Sequence, residues 1–542
     1  MKLGLAYHLD FDFDRSRQAY AEGFVLWQRA RETQPEPTRL LPSAPHALRV
    51  NWHDPGTLDP TRPRSIWSVG LAHQLFSGLV ALNAELDVVP DIAHSWDVLD
   101  EGRKYIFHLR DDVFWSDGVP VTAGDFEYAW KRALDPAESA SFAGALLCDI
   151  RGTSAFRRGE VADPEQVAVR AIDAVTLIVE LEGPTNYFPH LLAFPITFSI
   201  PRHVVEKHGE AWAEVGHIVT NEPFRLEDWR REEAMVLYRN LTYHEAWRGN
   251  VERIELMLED NPASLLQMYE AGALDLLPLH LLPVPEMDRA RQRYAADYIS
   301  GPQLLTNYVW FNNITSSPFK DVRVRQALAL AIDKEKLANV TLRGYAYPAT
   351  GGFVPPGMPG HAPGVGLAYD PERARQLLAE AGYPGGRGFP TLEALNRPNH
   401  EPLTKYCRLA WHEVLGIDIP WETVSLTTLF DRYDHMPPDL ALGLWVADYP
   451  DPDCYLRICI DSENRNWNNP VYEQLIETAR RVTDQAERMR LYAQAERILA
   501  EEAPIISLTY GRIPLLLKPW VKGYQLSTMK GQFWKDVIIE PH

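Results

Sequence analysis

With 542 residues, 46% hydrophobic and 24% charged, the chain is too long for one compact core and ordinary in composition for a globular protein, so two or more lobes are expected. Lys and Arg total 54 against 74 Asp and Glu, a formal charge of −20, which opposes nucleic acid and anionic membrane surfaces as partners and favours cationic or zwitterionic ones. The bland reading of the same charge is solubility.

Residues 1–34 read as a helical pair, with Leu3, Leu5 and Tyr7 before an acidic turn and Tyr20, Phe24, Leu26 and Trp27 on the second helix. Leu3, Gly4, Tyr7, Ser16, Tyr20 and Gly23 fall at offsets similar to one tetratricopeptide unit. One unit cannot bury its own face, so the pair is either a remnant of a longer helical array or an amphipathic leader. Met1–Leu5 lack the succession of a secretory signal, and no window reaches 18 apolar residues, so neither an export address nor a membrane span is expected.

A linker over Gln34–Pro45 leads to Leu48–Trp52, the expected first strand. Strand-like runs at Tyr105–Leu109, Thr176–Leu181, Arg253–Leu258, Tyr308–Phe311 and Leu440–Trp445 then alternate with helical patterns at Ala123–Leu134, Pro262–Ala273 and Pro371–Gly382. That alternation argues α/β. Thr122 and Asp370 are capping residues of the right kind, and Gly382 is a helix stop. Cys148, Cys407, Cys454 and Cys459 form no CxxC pair and no zinc spacing. Cys454 and Cys459 flank a strand-like CYLRIC run that would turn their side chains to opposite faces, so no disulfide and no structural metal are expected.

There is no G-x-S-x-G elbow, phosphate loop, HExxH or strand-linked GxGxxG, so enzyme signatures are missing and a non-enzyme without cofactor or metal is expected. The positive feature is 16 Trp and 23 Tyr, whose large area and few rotatable bonds suit recognition of varied organic ligands. One acid stands out: Asp448 in WVADYPDP, where a buried strand stops.

Several segments together resemble the solute-binding proteins of peptide ABC transporters (family 5), the family typified by the periplasmic oligopeptide-binding protein. They are HQLFSGLVALNAELDVVPDIAHSWDVLDEGRKYIFHLRDDVFWSDGVPVTAGDFEYAW (73–130), IVTNEPFRLEDW (218–229), PFKDVRVRQALALAIDKEKL (318–337), GFVPPGMPG (352–360), WVADYPDPD (445–453) and AERILAEEAPIISLTY (495–510), in the family's order from about Leu48 onward. The resemblance implies a two-lobed periplasmic-binding-protein-like fold of class C type, with an extra subdomain, a hinge of crossing strands and here a short helical leader. The implied division is 1–46 leader and linker; 47–66, 190–304 and 515–542 the first lobe; 67–189 the additional subdomain; 305–514 the second lobe.

In the family a peptide pairs as an added strand while its side chains enter wet, permissive pockets. By resemblance Asp448 matches the acid that pairs with the ligand's α-ammonium, the alternative being a carboxylate capping the next turn. Trp445 and Tyr308 fall beside the cleft, His400 matches a histidine able to meet the ligand's carboxylate, and Asp54 matches an acidic first-strand position. The arginines of the DVRVR helix are expected to be structural. Leu442 replaces a carboxylate-binding arginine, Leu305 and Val446 replace a cysteine pair, and Glu222 replaces a Gly at a tight turn near the cleft.

The resemblance implies ABC permease subunits and a peptide or peptide-sized solute as partners, a monomer, and a periplasmic or extracytoplasmic, at most membrane-peripheral location. Nickel, sugar, opine and heme binders also occur in the family. Without a signal sequence a cytoplasmic location stays open, as does a second class of function, a ligand-sensing module of a cytoplasmic regulator.

Overall fold

The computed structural model describes residues 1–542 except 11, 33–45, 64, 138–142, 246, 313–317, 399, 462–466 and 530–532, so the linker over Gln34–Pro45 lies outside the described residues. The helical pair is present as α1 (Lys2–Leu9) and α2 (Phe13–Glu32). Its small residues are where the helices touch: a Cβ on Gly4 would stand 2.6 Å from the Tyr20 ring, and the Ser16 hydroxyl donates to Gly4 O at 2.9 Å. The pair buries its apolar face on the body. Tyr20 and Phe24 meet Trp96 at 5.0 and 4.8 Å between ring centroids, and the His8 ring lies 3.1 Å from the Tyr105 hydroxyl.

The main body opens with β1 (Ala47–Trp52), and then β2 (Ala93–Leu99), β3 (Lys104–Leu109), β4 (Val169–Asp173) and β5 (Thr176–Glu180) form a separate four-stranded sheet in the order β2-β3-β5-β4. This is the sheet that carries α1 and α2. It is followed by β6 (Phe224–Arg230), β7 (Ala234–Arg239), β8 (Arg253–Leu258) and β9 (Leu276–Pro278), the long β10 (Tyr298–Phe311), β11 (Ala394–Asn396), β12 (Trp421–Thr423), β13 (Leu440–Val446) and the long β14 (Ile505–Leu517). They make one sheet of order β12-β11-β13-β10-β14-β9-β1-β8-β7-β6, with Tyr347–Pro348 pairing onto β14.

β10 and β14 are antiparallel and run through both ends of this sheet: Tyr298–Gln303 pair with Gly511–Leu516, and Thr306–Trp310 with Ile505–Tyr510. The register shifts between Gln303 and Thr306 and again between Asn307 and Tyr308. Bulges raise local twist and bend a strand, so the two long strands change direction where one lobe gives way to the other. The lobes are α/β on either side, as the alternation predicts.

Along β10 the period of two separates two cores. Tyr308 and Trp310 pack with Phe353, Leu395 and Ala441, whereas Val309 and Phe311 pack with Leu440, Leu442, Val324 and Leu328. The DVRVR helix, Val322–Leu330, is scaffold: Asp321 caps it, and Arg325 donates to Phe319 O at 2.6 Å and Glu502 O at 2.8 Å. Thr122 and Asp125 form a capping box, Asp370 accepts from Arg373 N, and Gly382 takes φ +98° past its helix.

The CYLRIC segment corrects the sequence reading. It is helical, Asp453–Leu456 and Ile458–Asp461, rather than a strand. Asp453 and Arg457 pair one turn apart and also meet Arg480, Tyr492, Asp149 and Tyr187 from elsewhere in the chain, and these tertiary contacts outweigh the β preference of the segment's aromatic and branched residues. None of the four cysteines forms a disulfide among the described residues, and Cys407, Cys454 and Cys459 are buried.

Candidate functional site

β13 carries Trp445, half-buried and opposite Thr306 of β10, and two residues past its end comes Asp448, 3% exposed. The turn is local. The Asp448 backbone N–H donates to Cys454 Sγ at 3.2 Å, and the thiol donates back to Asp448 Oδ2 at 3.8 Å. Burial, and then the Asp448 charge, push the Cys454 thiol up to about 12. The next residue, Tyr449, stacks on Tyr187 at 5.0 Å and donates to Asp453 Oδ2 at 2.9 Å. Tyr455 closes the turn by donating to Leu304 O at 2.7 Å.

Tyr308 is buried against Phe353, 5.0 Å between centroids, and lies over Gly443, where a Cβ would stand 2.7 Å from its ring. Only glycine fits opposite this tyrosine. Leu442, the next residue back, points to the other face and is buried in the core with Val309, Phe311, Val324 and Leu328. Leu305 and Val446 face each other directly in the β10–β13 register, so the two apolar side chains stand at paired positions.

His400 is the N-cap residue of the helix Glu401–Leu415, which ends at Gly416 in the left-handed region. Its Nδ1 lies 3.2 Å from Pro398 O and its Nε2 lies 3.1 Å from Arg397 Nη2. Burial, then the Arg397 charge, hold this imidazole well below its ordinary pKa, so it is neutral at neutral pH.

Arg397 is the residue that sequence reasoning missed. It leaves β11 just after Asn396, and because β11 and β13 are parallel with Leu395 beside Ala441, it comes off level with Gly443. Burial lowers the guanidinium to about 10, and the groups that counter this are the Tyr433 and Tyr308 hydroxyls. Among the described residues no carboxylate lies within ion-pair distance of it.

Asp54 is not brought to this place. It is exposed, and its Oδ1 accepts from Gly56 N at 2.8 Å in a two-residue turn. Its neighbour His53 turns inward instead, with Nδ1 2.6 Å from Asp260 and its ring 4.3 Å from Trp67, and is near enough to Arg397 to feel its charge. His280 joins the same group, pushed down by its crowded surroundings and then by His53 and Arg397. His53, His280 and the Arg397–His400 pair thus come together from three separate segments. A short apolar strand ending in a charge just before a helix cap, ALNR then PNH, was the available signal for Arg397.

Glu222 does not line this cleft. It is buried, accepts from the Ser77 hydroxyl, and burial followed by the Asp91 charge hold its carboxyl well above the usual range. Its φ is not positive, so the turn no longer asks for glycine.

Residues 87–467 match the family model for bacterial extracellular solute-binding proteins, family 5 (middle region). The chain is 33% identical over 524 residues, 94% of its length and 96% of the relative's, to the probable deoxycholate-binding periplasmic protein YgiS of Escherichia coli K12. It is 31% identical over 489 residues, 88% and 89% of the two chains, to the periplasmic oligopeptide-binding protein OppA of the same strain. Among solved structures it superposes on the Escherichia coli murein tripeptide-binding protein MppA with a TM-score of 0.85, at 28% identity, covering 92% of this chain and 99% of that one. Against the unliganded open form of MppA the TM-score is 0.68, also at 28% identity, with 93% and 99% covered.

Proposed function

Because the chain belongs to the bacterial extracellular solute-binding proteins of family 5, we propose that it is the receptor of an ABC-type importer, closing on short peptides between its lobes and delivering them to a permease. The observation that carries the reading is a pair of opposite charges on one wall of the cleft: Asp448 past the end of β13 and Arg397 level with Gly443 on the same strand. Five residues, Gly443 to Asp448, separate the two levels, the last two beyond the strand's end, a span of at most roughly 16 Å at about 3.3 Å per residue. An extended peptide of about four or five residues spans that distance between its α-ammonium and its α-carboxylate. Asp448 takes the ammonium and Arg397, with His400, the carboxylate, both strengthened as closure removes water. Tyr308 and Trp445 wall the space between them. OppA and MppA, relatives named for oligopeptides and a murein tripeptide, support the same ligand class.

The division into a first lobe of 47–66, 190–304 and 515–542, a subdomain of 67–189 and a second lobe of 305–514 accompanies this reading, supported by the separate sheet β2–β5 and the through-running β10 and β14. So does an extracytoplasmic site of action beside the permease, as family members are extracellular by description. Among the described residues no helix is long and apolar enough to cross a membrane.

The test is titration calorimetry with tetra-alanine, its N-acetylated form and its C-amidated form. Binding by the free peptide with a loss of at least about tenfold on blocking either end is expected. No binding, or equal binding by all three, overturns the reading. One observation favours a second ligand: the 33% identity to a relative named for deoxycholate, an apolar acid that suits Arg397 and the aromatic wall but carries no ammonium for Asp448. Deoxycholate titrated into the same cell separates the two.

A further inference from the structure

Two of the segments that carry the family resemblance, GFVPPGMPG (352–360) and AERILAEEAPIISLTY (495–510), meet behind the wall of the cleft. Glu496, on the helix Gln485–Glu502, is 1% exposed. Its Oε1 accepts from the backbone N–H of Phe353, and from that of Val354 at 3.0 Å. A Cβ on Gly352 would collide with this carboxylate, so only glycine fits there. The segment is held beside this point too: the Tyr510 hydroxyl donates to Gly352 O at 2.9 Å, and Lys334 Nζ to Ala349 O at 2.9 Å.

A carboxylate is costly in such a place. Among the described residues no cation lies within ion-pair distance of Glu496, and its Oε2 has no hydrogen-bond partner. The titratable groups that face it are the Tyr510 and Tyr472 phenols. Burial pushes the carboxyl up to about 7, and the two backbone N–H groups pull it only partly back. What the acid supplies at that cost is an acceptor. Without Oε1 the N–H groups of Phe353 and Val354 lose their partner inside the protein, and an orphaned buried donor costs more than the bond itself is worth.

Phe353 is where this fixed backbone meets the cleft. Thr306, opposite Trp445 in the β10–β13 register, donates to Phe353 O at 2.8 Å. The Phe353 ring stands edge-on to Tyr308 at 5.0 Å and to Tyr455 at 5.2 Å, and Tyr455 closes the turn that follows Asp448. One side chain thus backs both the aromatic wall and the turn that presents the acid. We propose that Glu496 is a positioning residue of the cleft, fixing Phe353 and through it Tyr308 and the Asp448 turn. Its effect on affinity rests on the peptide reading above, whereas its effect on the wall does not.

Glu496→Leu fills the space but accepts nothing, Glu496→Gln keeps an acceptor at Oε1, and Phe353→Leu keeps the backbone bonds but removes the ring. Two measurements on the full chain decide. Without added ligand, amide hydrogen exchange in Glu496→Leu is expected to quicken by about tenfold or more at 353–354 and also in the fragments carrying Tyr308 and Tyr455, while Glu496→Gln stays within about threefold of the wild type. In tetra-alanine titrations Glu496→Leu and Phe353→Leu should each weaken binding by about tenfold, the double variant by no more than either, and Glu496→Gln by less than about threefold. Quicker exchange confined to 353–354, losses that multiply in the double variant, or a Gln variant as impaired as the Leu one overturns the positioning role. A wild type that ignores tetra-alanine overturns the peptide reading instead, and the exchange pattern then decides on Glu496. If Glu496→Leu does not fold, Glu496→Asp, one methylene short of the two N–H groups, decides by the same pattern.

Discussion

The junction around Asp149 is a buried cluster of charge and the cleft around Arg397 a half-buried one, and they are finished in different ways. At the junction every arginine has a carboxylate within ion-pair distance: Arg457 and Arg480 share Asp149 and Asp453, Arg481 meets Asp149, and Arg488 meets Asp451 at 2.7 Å. In the cleft Arg397 meets the His400 imidazole and the Tyr433 and Tyr308 phenols. Charges that balance at one place, beside a guanidinium with no counter-ion among the described residues at another, mark the second as the place where a ligand completes the set.

The comparison breaks first at the junction. Asp453 is fully buried, holds Arg457 and accepts from Tyr449 and Tyr492. Asp453→Ala therefore strands buried positive charge, and we expect a loss of about 4 kcal/mol in urea unfolding. A loss below about 1 kcal/mol would mean that the network is not a unit.

Acid sharpens the same contrast. Burial holds His190 at about 4 and, with His190 beside it, His8 at about 3. Each takes a proton in the unfolded chain near its ordinary pKa of about 6.5 but not in the folded one. The unfolded state then binds more protons, so this stability is fully present above pH 6.5 and lost as pH falls toward 4, by up to about 3 kcal/mol per ring. Denaturant melts at pH 7 and pH 4.5 check it, and His190→Gln should flatten the difference. A variant as acid-sensitive as the wild type would assign the loss elsewhere.

In the cleft the effects move from stability to binding. Asp448→Ala is expected to weaken tetra-alanine by roughly 2 kcal/mol, about thirtyfold, by leaving the ammonium without its partner. Unchanged affinity removes Asp448 from the site. Arg397→Gln gives the smallest effect on binding, about 1.5 kcal/mol, and should leave the melting temperature unchanged or raised, because a half-buried charge with no counter-ion among the described residues is removed. A marked loss of stability would place Arg397 in the scaffold and undo the contrast.

Local chemistry made much of the fold legible. The capping box at Thr122, the Asp370 cap, the Gly382 stop and the period-two runs at β1, β3 and β8 are short-range signals, and the quoted family segments identify the two-lobed architecture. The close Gly4–Tyr20 contact follows from residues within one helical pair. What stayed hidden depends on distance. Asp149 and Arg480 are 331 residues apart, and nothing in either neighbourhood announces the other. CYLRIC reads as a strand because its residue types are β-like, while the Asp453–Arg457 pair that makes it a helix works only in a buried setting. In the candidate site, Asp448 stands out by its place at a strand end and His400 only through the family resemblance, whereas His53, His280 and Arg397 converge from three separate segments. Asp54, the acid beside His53, is spent on its own turn.

The central claim is that a zwitterionic peptide completes the charges of the cleft, and the most direct measurement is native mass spectrometry of the purified protein followed by denaturing release and identification of what travelled with it. The account predicts a ladder of short peptides centred on about four or five residues with both ends free. A single steroid acid, or another solute without an ammonium, would contradict it.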